Sequence, residues 1–426
     1  MFRPTKEGGK MLRSKCPHAI IFLTAFALLA VFAAHSAFAQ KGVNTYGYFS
    51  VNYQETGDAP DGSNDPGEFS FPHLNLMMQS KLSDNFRVYL NLSGDGGENI
   101  DVRNYWGEYA AADYLKFRMG KVYRHFDLFN EKLDAVPTYL GIEPPELWDK
   151  DHLMLPRTGI FMVHGSVAMN SNMFKYSITT GNKEVIDKGK PISWDFNYNI
   201  GYKTTFGTSG YYSKEQGSPI AVGEGSPPGG ILPWMAKDKY TVLGGYLKTQ
   251  WKAFTVEAAY WTADHKAVRD PESVVMLLDA GLNDRQMQRF GLDTYDPNNP
   301  ADVSMIKTNG DYTINTYYAR FGYTIPGGTI KGISWEMTPF FFLDWYENAE
   351  TIAKKKFGGD NEAGVADDGK FLKPTLGIAL KPIPAVAFKF DASSHMYKWT
   401  NPENPGDGSK NVHYEEFRVD LSYYFE

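Results

Sequence analysis

Strict alternation of apolar and polar residues limits the folds open to this chain more than any other feature of its sequence. The clearest example is the last segment, "EEFRVDLSYYFE", which ends at Glu426. Its two faces consist of Phe417, Val419, Leu421, Tyr423 and Phe425 on one side and Glu416, Arg418, Asp420, Ser422 and Tyr424 on the other. Because successive residues of a β-strand point to opposite faces, one face can meet lipid while the other meets water. A half-buried strand of a soluble sandwich alternates in the same way, so this segment alone leaves both folds open.

Similar segments recur along the chain and favour an all-β fold. They include residues 86–93, 194–202 and 388–393, and aromatic residues make up 15% of the sequence. After residue 40 there is no apolar run long enough to cross a membrane as a helix. In lipid, strands must close into a barrel because every backbone polar group needs a partner.

The connections between these segments distinguish a membrane barrel from a sandwich, because short and long connections take turns. The short ones are residues 83–85, 111–113, 170–172, 251–253 and 382–384, with another predicted near 204–210. The long ones are residues 54–69, 94–101, 123–158, 182–192, 212–236, 264–310, 347–370 and 398–412. Outer-membrane barrels have short periplasmic turns and long external loops. Eight long loops predict a transmembrane antiparallel β-barrel of about 16 strands.

The N-terminus predicts export. Arg13 and Lys15 precede an apolar run, and Ala37 and Ala39 fit a small-residue cleavage site, which together are typical of a signal peptide. We therefore expect a signal peptide at residues 1–39 and a barrel domain at 40–426, in the bacterial outer membrane. Cys16, the only cysteine, would be lost, and because residues 1–39 carry five Lys/Arg and one Glu, the formal charge would change from −7 to −11.

The layout of the chain resembles that of the bacterial outer-membrane porins. The resemblance rests on the closing strand and on the alternation of turns and loops, although Glu426 stands last where an aromatic residue is usual. It implies a water-filled channel for passive diffusion of small hydrophilic solutes and ions, a homotrimer, and a third loop that folds inward and narrows the channel. Residues 123–158 are that third loop, and apolar residues such as Phe129 and Trp148 agree with a segment packed against protein.

Charges in and near this loop predict the constriction. We expect Arg87, Lys116 and Arg118 to point into the lumen, while the direction of Arg103 is ambiguous. The loop brings acids. The candidate constriction residues are Arg87, Arg103, Lys116, Arg118, Asp127, Glu131 and Asp134. The resemblance implies loop acids that face wall bases, with a transverse field between them.

Other chemistry finds little support in the sequence. The chain has no HExxH, GxSxG, Walker or GxGxxG motif, so we expect no enzyme activity, cofactor or metal. Its acidic balance argues against nucleic acid. The expected partners are outer-membrane lipid, lipopolysaccharide and small polar solutes or ions. A channel specific for oxyanions or sugars, and a barrel sheath for a periplasmic electron-transfer partner, stay open as alternatives. Residues 271–290 look partly helical and could pack on the channel mouth or against neighbouring loops.

Overall fold

The computed structural model describes most of the chain after residue 41. The described residues are 42–57, 65–95, 99–130, 140–148, 158–182, 190–213, 232–279, 281–282, 284–330, 332–352, 363–401 and 404–425. The predicted signal peptide at 1–39 lies outside these residues, so it stays a prediction. No helix in the described ranges is long and apolar enough to cross a membrane.

Strands dominate the structure. The first nine are β1 (Asn44–Thr56), β2 (Asp65–Lys81), β3 (Phe86–Asp95), β4 (Asn99–Ala112), β5 (Leu115–Val122), β6 (Thr158–Met169), β7 (Asn172–Gly181), β8 (Ile192–Ile200) and β9 (Thr204–Tyr212). The remainder are β10 (Met235–Trp251), β11 (Phe254–Arg269), β12 (Tyr312–Tyr323), β13 (Ile325–Ile330), β14 (Ile333–Asn348), β15 (Lys370–Ile383), β16 (Val386–Trp399) and β17 (Lys410–Phe425).

These segments form one closed antiparallel barrel. Each strand pairs with the next, and β1 closes the ring on β17 with Val51 opposite Leu421. Segments β12 and β13, separated only by Thr324, both pair with β14 in one continuous register, Gly322 opposite Phe340 and Ile325 opposite Met337. They therefore act as one strand, and the ring has the predicted 16 staves.

The two faces of each strand follow the predicted alternation. In β17, Glu416, Arg418 and Asp420 are buried in the barrel interior. Phe417, on the opposite face, is exposed on the bare chain. Because the outward face would contact lipid, its exposed apolar and aromatic side chains match the apolar band of a membrane barrel.

The sequence was wrong about one turn. Residues 204–210 were expected to form a short connection, but they belong to β9, and the turn lies at 201–203, where Gly201 adopts a φ of +56°. Gly207 and Gly210 look like turn residues. In the strand they make room for aromatic rings, since an added Cβ would lie 2.4 Å from Tyr246 and 2.0 Å from Trp194.

The long connection between β11 and β12 contains the predicted helical structure. Helices α1 (Pro271–Asp279), α2 (Asp284–Arg289) and α3 (Pro300–Met305) follow one another there. Val274 and Leu277 of α1 are fully buried in an apolar cluster that also holds Trp234 and Phe290. Arg269 joins this connection to the next one through a two-pronged ion pair with Glu350, at 2.6 and 2.8 Å. This loop assembly covers the barrel mouth beside β10 to β14.

Candidate functional site

The third loop, between β5 and β6, enters the barrel as expected. Its described residues are 123–130 and 140–148, the latter with a 3-10 turn at Glu146–Trp148. Phe126 packs on Trp261 of β11 with ring centroids 4.6 Å apart, and Phe129 meets the Tyr318 ring of β12 edge-on at 5.6 Å. Aromatic pairs of this kind add about 0.5–1.5 kcal/mol beyond their area burial, so they hold the loop against the wall.

Asp127 forms a polar anchor within this aromatic contact. Its carboxylate accepts hydrogen bonds from the Tyr318 hydroxyl at 2.9 Å and the Trp148 indole at 3.1 Å. Its backbone N–H donates to the Ser209 hydroxyl of β9 at 3.1 Å. The residue has a φ of 60°, a left-handed conformation that Asp tolerates better than most residues. Asp127 thus faces an indole and two hydroxyls, rather than the wall bases that the transverse-field hypothesis placed opposite it.

A second anchor joins the later part of the loop to β15–β17 through charge. Lys373 of β15 lies 2.5 Å from Glu146 and 3.0 Å from Glu143. Arg418 of β17 also pairs with Glu143 and lies 2.5 Å from Glu416 on its own strand. Loop acids do face wall bases here, but the acids and the bases are different from the ones that the sequence singled out.

Backbone contacts strengthen this second anchor. The Lys389 ammonium donates to the Gly141 carbonyl at 2.7 Å, and the Ile142 N–H donates to Asp391 at 3.3 Å. Arg320 of β12 donates to the Glu143 carbonyl at 3.0 Å. The two anchors together attach the described part of the loop to the wall formed by β9 to β17.

The predicted bases gather on the opposite wall around one acid, Glu108 of β4. Arg87 donates from Nε to one carboxylate oxygen at 2.8 Å, and Arg118 donates to the other at 2.8 Å. His164 of β6 lies 2.9 Å from that second oxygen. The guanidiniums of Arg87 and Arg118 also lie over the Trp106 ring, at 5.2 and 4.3 Å from its centroid.

The other predicted residues are placed less centrally. Lys116 is half-buried and opposite His164 in the strand register, so it shares the lumen face with Arg118. Arg103 sits at a bulge of β4 and donates to the Ser93 hydroxyl at 2.9 Å. Glu131 and Asp134 lie outside the described residues. A constriction role for all seven stays a prediction.

Sequence reasoning missed the residues that organise both walls. Glu108, Lys373 and Arg418 were available, since each stands on the polar face of an alternating segment. Nothing in the sequence showed which loop acids reach across the barrel. Among the residues that the structure describes, no group of three or more His, Cys, Asp or Glu side chains could hold a metal ion.

The protonation of Asp127 gives a first prediction. Burial raises the pKa of its carboxyl to about 7. Because the pKa in the folded state is above its unfolded value, this group stabilises the docked loop at low pH, and the contribution falls as pH rises through about 7. We expect amide exchange at 126–130 to be faster at pH 9 than at pH 5, after correction for the intrinsic pH dependence. Asp127→Asn should abolish that difference, and a difference that persists in the variant would contradict the assignment.

Comparison with known proteins bears on the fold. No protein-family model matches the sequence, and no curated protein matches it either. Among solved structures it is similar to the anion-selective porin from Comamonas acidovorans, with a TM-score of 0.54, 11% identity, and 90% of this chain and 99% of that chain covered. The chain has the porin fold.

Two further structures with this fold come from Vibrio cholerae. One is a loop L8 deletion mutant of the outer membrane protein OmpT, with a TM-score of 0.50, 10% identity, and coverage of 90% of this chain and 99% of that one. The other is in-vitro folded OmpT in its trimer form, with a TM-score of 0.50, 11% identity and the same coverage. At such low identity the porin fold is shared, while side chains that line the lumen are this chain's own.

Proposed function

We propose that this protein is a non-catalytic outer-membrane channel for passive diffusion of small hydrophilic solutes, and that it favours anions. The observation that carries the proposal is the unequal lumen. The third loop is attached to the wall of β9–β17, which leaves the polar wall of β2–β7 to line the path. A wet path of this kind lets polar solutes cross without entering the hydrocarbon.

The preference for anions follows from the charges on that polar wall. In the half nearer the short turns, the bases on the lumen face are Lys81, Arg87, Lys116, Arg118 and Lys175, by strand register. Against them stands Glu108, the one acid on that half of the wall in the part of the chain that the structure describes. Low-dielectric walls focus such a charge imbalance along the path. The similar structure from Comamonas acidovorans is described as an anion-selective porin, which agrees with this proposal.

Reversal potentials across a planar bilayer test the proposal. Wild-type channels in a KCl gradient should favour chloride. Arg87→Ala with Arg118→Ala should shift the reversal potential toward cations, because the pair holds two of the bases. Glu108→Gln should shift it in the opposite direction, because it removes the neutralising acid. Absence of ion current from inserted wild-type protein would refute the channel, and unchanged potentials in both variants would place the selective region elsewhere.

The remaining expectations belong to the same proposal. The outward apolar face suits outer-membrane lipid and lipopolysaccharide, reached after export and removal of residues 1–39. A homotrimer is supported by the trimer form of the similar OmpT structure. Chemical cross-linking in mild detergent would test the trimer directly.

A further inference from the structure

The lumen face of β3 and β4 presents three different kinds of chemistry in sequence, and we call it the β3–β4 strip. From the turn side upward it consists of Arg87 and Glu108, then Tyr89 and Trp106, then Asn91 and Asn104. Each step is two residues along the strand, about 6.6 Å at about 3.3 Å per residue. The strip therefore runs from a charged end to a neutral polar end about 13 Å away.

The charged end suits a carboxylate or phosphate group. Arg87 and Arg118 share the single carboxylate of Glu108, so the group of three carries a net charge of about +1 before any protonation of His164. The Arg87 side chain is 36% exposed, so it can reach a solute. Its Nε and Nη2 atoms bind Glu108, and the remaining donors of the guanidinium fork suit an oxyanion.

The aromatic step fixes the charged end in place. Tyr89 and Trp106 stack with centroids 5.2 Å apart and planes at 14°. Arg118 covers Trp106 at 4.3 Å, so the ring is held between a second ring and a guanidinium. Rings stacked along the sheet turn their edges to the lumen, and the edge is the positive part of an aromatic ring. This step is therefore compatible with an anionic solute.

The neutral end has polar groups in need of partners. Asn91 is 1% exposed and Asn75, on the neighbouring β2, is 0% exposed. Neither amide has a hydrogen-bond partner for its nitrogen or its oxygen in the described part of the chain. Burial of an amide without a partner is unfavourable. Groups that both donate and accept are matched by hydroxyls, which also do both.

We propose that the β3–β4 strip, with Asn75, recognises hydroxylated organic anions such as sugar acids. The anionic group binds at Arg87 and Arg118, and the hydroxyls bind at Asn91 and Asn75. An inorganic anion is too short to reach both ends, and a neutral sugar would leave the charged end unused. The inference rests on the proposed anion-favouring channel and names its preferred solute class.

Block of single-channel chloride current tests the inference, with three probes. D-gluconate has an anionic end and hydroxyls, hexanoate has the same carbon number and charge without hydroxyls, and D-glucose has hydroxyls without charge. We expect gluconate to reach half-block at a concentration about fivefold or more below that of hexanoate, since two hydrogen bonds of ordinary net strength give a factor of that order. Glucose should block least. Equal half-block by gluconate and hexanoate in the wild-type channel would overturn the proposal without any variant.

Variants separate the two ends of the strip. Asn91→Leu keeps the size of the side chain and removes its polar atoms, so it should raise the gluconate half-block concentration about fivefold and leave that of hexanoate unchanged. Arg87→Gln should raise both. Ser177→Ala, which alters another buried lumen residue on β7, is the control and should change neither. Gluconate block that is unaffected by Asn91→Leu would also overturn the proposal. Conductance and reversal potential in KCl alone report on the channel itself, so the two failures are distinguishable.

Discussion

Lys373→Met is expected to release the third loop from the barrel wall. Lys373 is 5% exposed, and its ammonium lies within 4 Å of three carboxylates, on Glu143, Glu146 and Glu416. Removal of the base leaves acids in a buried site without their partner, which costs about 3–5 kcal/mol. We expect a loss of this size in the free energy of unfolding in lipid vesicles, or a loop that leaves the wall and changes the single-channel conductance.

A matched control lies three residues away on the same strand. Lys370 pairs with Glu347 at 2.8 Å, but its side chain is 44% exposed. Because exposed ion pairs contribute about 0–1 kcal/mol, Lys370→Met should change stability and conductance little. Adding Glu146→Gln to Lys373→Met should restore part of the loss, since it removes one of the unpaired acids. Equal effects of the two lysine variants would show that the loop is held by its aromatic contacts alone.

Leu421→Arg is expected to prevent assembly of most of the protein. Leu421 lies on the outward face of β17, opposite Val51 of β1, where the chain closes the barrel. An arginine on the lipid face costs about 2–4 kcal/mol at the middle of the bilayer. We expect a strongly reduced folded fraction after refolding into vesicles, read from the unheated band on a detergent gel.

The control for this prediction uses the other face of the same strand pair. Asn52, one residue after Val51, is half-buried on the lumen side and opposite Asp420. Asn52→Arg places the same charge beside an acid in the aqueous interior, so folding should be close to wild type. If Asn52→Arg reduced the folded fraction as much as Leu421→Arg, the assignment of the two faces at the closing seam would be wrong.

The sequence by itself determined the barrel, because the barrel depends on local patterns. A period of two fixes which side chains meet lipid, and the alternation of short and long connections fixes the direction and number of the strands. Arg87 and Arg118 could be placed on the lumen face from parity alone. The error at 204–210 shows the limit of local reasoning. Gly207 and Gly210 are strand residues because Tyr246 and Trp194 need the space, and those rings lie on neighbouring strands.

Only the tertiary structure decided where the third loop attaches. Glu143 and Glu146 are about 230 residues from Lys373 along the chain, and Asp127 is 191 residues from Tyr318. No periodicity connects positions so far apart, because the pairing depends on barrel closure and on the path of the loop across the lumen. The same is true of Glu108, which brings Arg87 and Arg118 together only because β3, β4 and β5 are neighbours in register. Charge type and face were therefore readable from the sequence, while partners were set by the closed ring.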